Sequence, residues 1–463
     1  MLLRHLVIVA LAGSGLVAQQ PATVVTAGTA SEVIAPLPPL PTVHFHARRD
    51  AVRQHLQNGV LLLRGATRRA DMGLFQQDQD FYYLTGVSEP GIALLVSAAV
   101  DELLVPPPTR FTAQWEGEFL APGAPAATRT GFGTVANVRQ LEDRLKELFA
   151  PGADGKRPVL WTQLQAAVPP TGTPGSAGGA ADAQAGDPLD GRVSREQALK
   201  DKLLLMFPGL EVQDITPVLH KLRVLKAPEE LAALRSSAAT AAEGIAAAMR
   251  GARPGMYEFQ LAATARYVFS LHGAGPDAYG AIVGAGKNGC VLHYMKNDQQ
   301  LAPDDLIVMD YAPTVRGYAA DVTRTFPASG RFSPAQRELV QNVYEIQQAL
   351  LKDVKPGARL GELSKKCAEL LLARGYRSDH GPCHHVGLAV HDPTEDVLAA
   401  GMVITVEPGA YLKDKGMGCR IEDTVLVTET GYEVLSAGVP STPDAIEALM
   451  HGRAANVPVG LPR

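Results

Sequence analysis

Leu306-Ile307-Val308-Met309-Asp310 is a short apolar strand that ends on a carboxylate, and Thr314-Val315-Arg316-Gly317 reads as a turn on the way to Asp321. A hairpin closed on Val315-Arg316 would set Asp310 and Asp321 face to face, with Cβ atoms roughly 4.5–5.5 Å apart. Like charges so placed repel, and a buried unpaired carboxylate is costly. A divalent cation between them is the economical way to hold both. Two aspartates alone are more often solvated turn residues, so the weight of the reading rests on whether the pattern recurs.

It does. Val403 to Val406 is a strand that delivers Glu407 to a Pro408-Gly409 turn, and Arg420 to Thr428 reads as a further strand carrying Glu422. Arg420 and Glu422 project from one face of that strand, where the guanidinium can orient the carboxylate by a charge-assisted hydrogen bond. Between the two carboxylate pairs runs His380-Gly381-Pro382-Cys383-His384-His385-Val386-Gly387-Leu388-Ala389-Val390-His391-Asp392, which holds four of the chain's 12 histidines. Imidazole serves as ligand or proton shuttle near neutral pH. For His385, in apolar sequence, a satisfied core residue is the better reading. His293, in Val291-Leu292-His293-Tyr294, is a further candidate beside an apolar run.

Gly284-Ala285-Gly286-Lys287-Asn288-Gly289 formally matches a dinucleotide-binding loop. That motif needs a helix to follow, and Cys290 to Tyr294 reads instead as a strand. The chain lacks a G-x-S-x-G elbow, an H-E-x-x-H helix and a G-x-x-x-x-G-K-[ST] loop, the motifs of serine hydrolases, zincins and P-loop proteins.

Around this core the chain shows a repeat. Pro254-Gly255 and Pro356-Gly357, Leu261 and Leu363, and Gly273 and Gly375 share an offset of 102 residues. Helices are expected from Pro228, with Leu231, Leu234, Ala238, Ala241, Ile245 and Met249 on one face, and from Ser333, capped by Gln336. A duplicated half-domain would enclose a cleft between its halves. Upstream, Val60 to Leu63 and Ile92 to Val96 read as strands and Gln140 to Phe149 as a helix, while Ala166 to Gly191 has no apolar periodicity and reads as a surface insertion or linker.

The chain has 463 residues, 46 % hydrophobic and 20 % charged, with a net charge of -5. That length allows two or three domains, and the near-neutral balance excludes a polyanion-binding role: no nucleic-acid partner is expected. Met1 to Ala18 has the layout of a secretory signal peptide, and residues 19–42 read as a flexible lead. Export, to the periplasm or outside the cell, is the expectation. No segment reaches the roughly 18 apolar residues of a membrane helix. Cys290, Cys367, Cys383 and Cys419 are widely spaced, so free buried thiols are at least as good a reading as disulfides.

Taken in order, Leu292-His293-Tyr294, Asp310, Gly317 to Phe326, His380 to Asp392, Val406 to Tyr411 and Arg420 to Asp423 resemble the pita-bread metallopeptidases. That family includes Xaa-Pro aminopeptidase (aminopeptidase P), prolidase and methionine aminopeptidase; the first is the nearest and prolidase next. Val60 to Leu63 and Phe75 to Gly86 match its N-terminal domain, and the resemblance covers roughly residues 47–435. It implies an α+β, two-domain chain: an N-terminal α/β domain over 43–215 with the insertion near 166–191, a pita-bread catalytic domain of duplicated αβ halves on a curved antiparallel sheet over 216–447, and a tail at 448–463. It further implies two divalent metal ions, Mn²⁺ before Co²⁺, Fe²⁺ or Zn²⁺, held by Asp310, Asp321, His384, Glu407 and Glu422, with Asp321 and Glu422 bridging. His293, His380 and His391 would line the substrate cleft, Glu407 would shuttle protons, and Arg420 would support the ligands. Position in the motif selects His384 over His385 as the ligand. The implied activity is a metalloprotease-type hydrolase, an aminopeptidase releasing the residue before a proline by attack of a water held between the metals. The implied partner is a peptide with an Xaa-Pro N-terminus, and the implied assembly a homo-oligomer. Prolidase with the same centre is the alternative; a non-catalytic peptide-binding protein is disfavoured because all five ligand positions are filled.

Overall fold

A computed structural model of the chain describes residues 37–68, 74–169 and 172–452. The signal-peptide reading, most of the lead before Thr42 and the end of the tail lie outside these residues. Among the described residues no helix is long and apolar enough to cross a membrane.

The N-terminal part is built on a six-stranded mixed sheet. In spatial order its strands are Thr134–Asn137, Asp101–Val105, Ala93–Val96, Val60–Arg64, Leu160–Thr162 and Val212–Asp214. The central strands read as unbroken apolar runs because both faces are covered. Leu61, Leu63, Leu94 and Val96 point into the core shared with the rest of the chain. Their neighbours Val60, Leu62, Ala93 and Leu95 point the other way, onto Leu145, Phe149, Leu203 and Phe207.

The C-terminal part repeats one design. Helices Pro228–Gly251 and Glu258–Leu271 precede an antiparallel sheet of Ile282–Ala285, Leu306–Asp310 and Thr323–Pro327. Helices Pro334–Leu351 and Leu360–Ala373 precede a second sheet of Val403–Val406, Asp423–Val427 and Tyr432–Val434. Glu258–Leu271 and Leu360–Ala373 start and end 102 residues apart, the offset read from the sequence. Gly255 and Gly357 both take φ of 87°, so the turn that enters each helix is the same left-handed one. The two sheets join where Glu422 donates its backbone N–H to Thr323 at 3.1 Å, which brings both halves to one seam. Ser333 and Gln336 form the expected capping box.

Four local expectations change. Asp310 lies opposite Thr323, not Asp321, and the hairpin closes on Arg316-Gly317 with Val315 opposite Tyr318. The turn decides the register: Arg316 and Gly317 both have positive φ, 55° and 79°, and the two-residue turn that suits twisted strands requires this at both central positions. The shift is by two residues, so Asp310 and Asp321 keep a common face, diagonal to one another. Second, the strand expected over Arg420 to Thr428 is two strands, Met417–Arg420 and Asp423–Val427, and Glu422 sits in the break. Third, Cys290 to Tyr294, expected to be extended, forms no strand: a 3-10 turn, Gly286–Cys290, leads into a bend and turn over residues 291–293. Fourth, the Ala166 to Gly191 stretch carries a helix, Pro174–Gly186, started by a Thr173–Ser176 capping box and sustained by alanine rather than by an apolar stripe. The helix Pro443–His451 also runs through the position where the catalytic domain was expected to end. All four cysteines are free.

Candidate metal centre

Each half supplies carboxylates from the ends of its strands. Asp310 ends Leu306–Asp310, and Asp321 follows the hairpin that returns to Thr323–Pro327. Glu407 follows Val403–Val406. Glu422 is brought across by its pairing with Thr323, whose hydroxyl donates to Glu422 Oε2 at 2.6 Å. The histidine segment lies alongside Val403–Val406: Thr405 donates its N–H to His384 O, and Glu407 to Pro382 O, both at 2.8 Å.

Ligand-type atoms of Asp321, His384 and Glu422 lie within 4.8 Å of one another. His384 Nε2 is 3.4 Å from Asp321 Oδ2 and 3.3 Å from Glu407 Oε1. Its Nδ1 lies 3.1 Å from the carbonyl of His385, an acceptor, so the ring N–H belongs on Nδ1 and Nε2 faces the carboxylates. Asp310 lines the same cavity with both oxygens engaged. Tyr279 donates to Oδ1 at 2.5 Å and Arg420 Nη2 to Oδ2 at 2.7 Å. Arg420 was expected to orient Glu422; it bonds Asp310 directly instead and reaches Glu422 only through the Thr323 hydroxyl, to which its Nε donates at 3.1 Å. His385, the neighbour of His384, is fully buried with Nε2 2.9 Å from Glu395 O, a core residue outside the cluster.

The electrostatics fit a divalent cation. Burial, then the charge of Asp310, pushes Asp321 up to about 7. Burial, then Asp321, raises Glu422 well above the usual carboxylate range. Burial would also raise Glu407, but the hydrogen bond and charge of His384 hold it below its ordinary value. Burial opposes charge on His384, yet its contacts with Asp321 and Glu407 raise it strongly. Crowded carboxylates that resist ionisation, with one imidazole drawn in as their counter-ion, are what a metal site looks like when protons stand in for the metal.

The cavity around this cluster has a volume of about 450 Å³. His293, His380 and His391 all line it, with Ile282, Leu292 and Val390 as apolar wall. His293 is exposed at its edge. The His391 ring lies 4.2 Å from that of His384, and burial, then the neighbouring His384 charge, lowers it to about 4. His380 is held by Tyr411, whose hydroxyl is 2.9 Å from its Nε2 and accepts from Arg420 at 3.0 Å. Reading the sequence missed Tyr279, Thr323 and Thr405 as supports of the ligands. Tyr279 carries no signal of its own. Thr323 and Thr405 could have been found as hydroxyls two residues from Asp321 and Glu407, on the same strand face.

Two duplicated halves that close on a buried carboxylate and imidazole cluster, behind an N-terminal α/β part, define a bilobal metallohydrolase. The chain matches the model of metallopeptidase family M24 over residues 232–429 and that of the aminopeptidase P N-terminal domain over residues 45–156. It is 33 % identical to the Xaa-Pro aminopeptidase of Escherichia coli K12, over 88 % of this chain and 97 % of that one. Similarity to the Xaa-Pro dipeptidase of Pyrococcus furiosus, also 33 % identical, covers 49 % of this chain and 67 % of the other. Among solved structures, aminopeptidase P from E. coli with the inhibitor Pro-Leu superposes with a TM-score of 0.75 at 29 % identity, covering 89 % of this chain and 99 % of that one. The chain belongs to metallopeptidase family M24 and is a metal-dependent exopeptidase.

Proposed function

We propose that the chain is an exported Xaa-Pro aminopeptidase that releases the first residue of peptides with proline second, with Mn²⁺ as its preferred metal. The observation that carries this is the convergence of Asp321, His384 and Glu422 in a cavity that also presents Asp310 and Glu407, in a chain that matches an Xaa-Pro aminopeptidase over nearly its whole length. Similarity to the dipeptidase covers half the chain, which favours the aminopeptidase over the prolidase reading.

Four carboxylates and one imidazole make an oxygen-rich donor set that suits Mn²⁺, with Co²⁺, Fe²⁺ and Zn²⁺ as substitutes. Asp310, Asp321, His384, Glu407 and Glu422 would hold two such ions, whose chemistry is to lower the pKa of water and polarise the peptide carbonyl. Glu407 lies between His384 and His380 and is positioned to take a proton from the attacking water and pass it to the leaving nitrogen. His293 and His391 are placed to hold the scissile carbonyl and the developing oxyanion. Arg420 keeps Asp310 oriented. The apolar wall of Ile282, Leu292 and Val390 gives the proline ring a dry surface. Residues 1–18 support export.

Hydrolysis of Ala-Pro-Ala, Ala-Pro and Ala-Ala-Ala, with Mn²⁺ and with chelator, tests the proposal. The expected result is metal-dependent release of Ala from the first. Cleavage confined to Ala-Pro would make the chain a dipeptidase, and a preference for Ala-Ala-Ala would remove the proline reading.

A further inference from the structure

Behind the cleft lies a second, smaller cavity of about 40 Å³, and His391 lines both. Three other residues on its wall share one property. Gln79 Nε2, Thr216 Oγ1 and Arg223 Nε are buried polar atoms without a hydrogen-bond partner among the described residues, and His391 Nδ1 is a fourth. Gln79, Thr216 and Arg223 are each more than nine-tenths buried. A buried polar group left unpaired is destabilising by itself, and the residues that carry these four all line one small void.

The groups are also fixed in place. Arg223 spends its other nitrogens on Asp80 at 2.7 Å, on Asp392 at 2.5 Å and on Gln79 Oε1 at 3.3 Å, which leaves Nε as its one nitrogen without a partner. Thr216 opens the helix Thr216–Val224, and its backbone N–H is held by Asp214 Oδ1 at 3.0 Å. Gln79 opens the helix Gln79–Thr85 of the N-terminal part. The cavity is therefore walled by rigid elements from both parts of the chain.

Its occupant follows from the donor and acceptor inventory. Gln79 Nε2 and Arg223 Nε can only donate, whereas Thr216 Oγ1 and His391 Nδ1 can do either. An anion would meet the carboxylates of Asp78 and Asp80, which share the wall, and a cation would meet the two obligate donors. Water accepts from the donors and gives its own protons onward. The volume is well above the ~10–15 Å³ that seating one water requires. We propose that this cavity holds a cluster of ordered water that ties the outer nitrogen of His391 to Gln79, Thr216 and Arg223, which makes these three positioning residues for the cleft and gives the N-terminal part a direct hand in orienting a cleft imidazole.

The proposal rests on His391 working in the cleft, so the two are tested apart. A crystal structure of the full chain, at a resolution that shows solvent, is expected to contain water bonded to His391 Nδ1 and Thr216 Oγ1; a dry cavity overturns the proposal. Thr216→Val keeps shape and removes the hydroxyl, and Thr216→Ser keeps the hydroxyl. The valine variant is expected to lower kcat/KM for Ala-Pro-Ala about tenfold, the scale seen when an outer hydrogen-bond partner is lost. It is also expected to shift the ¹⁵N resonance of His391 Nδ1 in the metal-free chain, with the serine variant within twofold of the parent. A valine variant with unchanged rate and unchanged ¹⁵N shift overturns the proposal. His391→Ala supplies the separate arm: if it is fully active, the cleft reading of His391 falls, whatever the cavity holds.

Discussion

In the proposed mechanism Glu407 is the side chain on which proton transfer turns, because its two oxygens face different imidazoles: Oε1 is 3.3 Å from His384 and Oε2 is 3.5 Å from His380. Glu407→Gln preserves shape and the hydrogen bond from Thr405 but cannot accept a proton. It is expected to lower kcat by about 10²–10⁴-fold, the usual contribution of a general acid–base group, as steady-state hydrolysis of Ala-Pro-Ala will report. A second residue-scale prediction concerns stability. Asp78 caps the helix Gln79–Thr85 by accepting from Phe81 N–H at 2.8 Å, while burial, then the charge of Asp80, pushes its carboxyl up to about 6. The folded chain thus binds this proton more tightly than the unfolded chain does, and the stability it confers is lost as pH rises from about 4 to about 6. Asparagine caps equally well and carries no charge. Asp78→Asn should gain little at pH 3.5 and about 1–3 kcal/mol above pH 7, read by chemical denaturation at both.

At the scale of elements, the strands that end in carboxylates were legible because an apolar run closed by a lone charge must deliver that charge to a place where something pairs with it. The two paired helices were legible because their glycines repeat at a fixed offset. What was not legible is instructive. The hairpin register depends on Gly317 occupying the second central position of the turn, a single-residue signal with which the symmetric facing of Asp310 and Asp321 competes. The break at Ile421-Glu422 could not be seen, because Ile421 and Val425 to Val427 are as apolar and buried as a continuous strand. The helix Pro174–Gly186 was hidden because it buries almost nothing, and periodicity reports burial rather than helicity. Sequence could not show the tight contact between strand Met417–Arg420 and the 3-10 turn Gly286–Cys290, although it sets the edge of the cleft. A Cβ on Gly418 would overlap the carbonyl oxygen of Gly289. Gly418→Ala must therefore push this turn away, and with it Leu292 and His293. The expected cost is about 1–3 kcal/mol in stability, as for other overpacked sites, with a rise in KM larger than the fall in kcat, since the displaced residues line the cleft without holding the metal. Equal effects on both would place the damage at the metal centre instead.

For the whole molecule the question is what makes an N-terminal sheet and a duplicated catalytic half-pair behave as one body. Part of the answer is apolar: Phe45, Leu61, Leu63 and Phe81 share a core cluster with Ala238, Ile245, Tyr318 and Val386. The other part is a buried ionic knot. Arg223 bonds Asp80 on one side and Asp392 on the other, Lys226 adds a bond to Asp392 at 3.1 Å, and all four are almost wholly buried. Gly387 makes room for it, since a Cβ there would overlap the Asp392 carboxylate. Burial alone would raise the Asp392 carboxyl, but Arg223 and Lys226 hold it below its ordinary value, so Asp392 is charged at neutral pH. Such a cluster adds little net stability over an apolar filling, yet removing one partner strands the others without compensation. Arg223→Met leaves two buried carboxylates to a single lysine. Its expected cost is about 3–5 kcal/mol. The parent chain, with one shared core and one knot, should unfold in a single calorimetric transition. In the variant the seam between the parts loses its polar half, and the transition should broaden or divide, with the N-terminal part melting first because it gives up the bond to Asp80 while the metal still braces the other. Chelation should then bring the two transitions together again by weakening the catalytic half. A variant that melts in one sharp step at an unchanged temperature would mean that the apolar core alone couples the two parts.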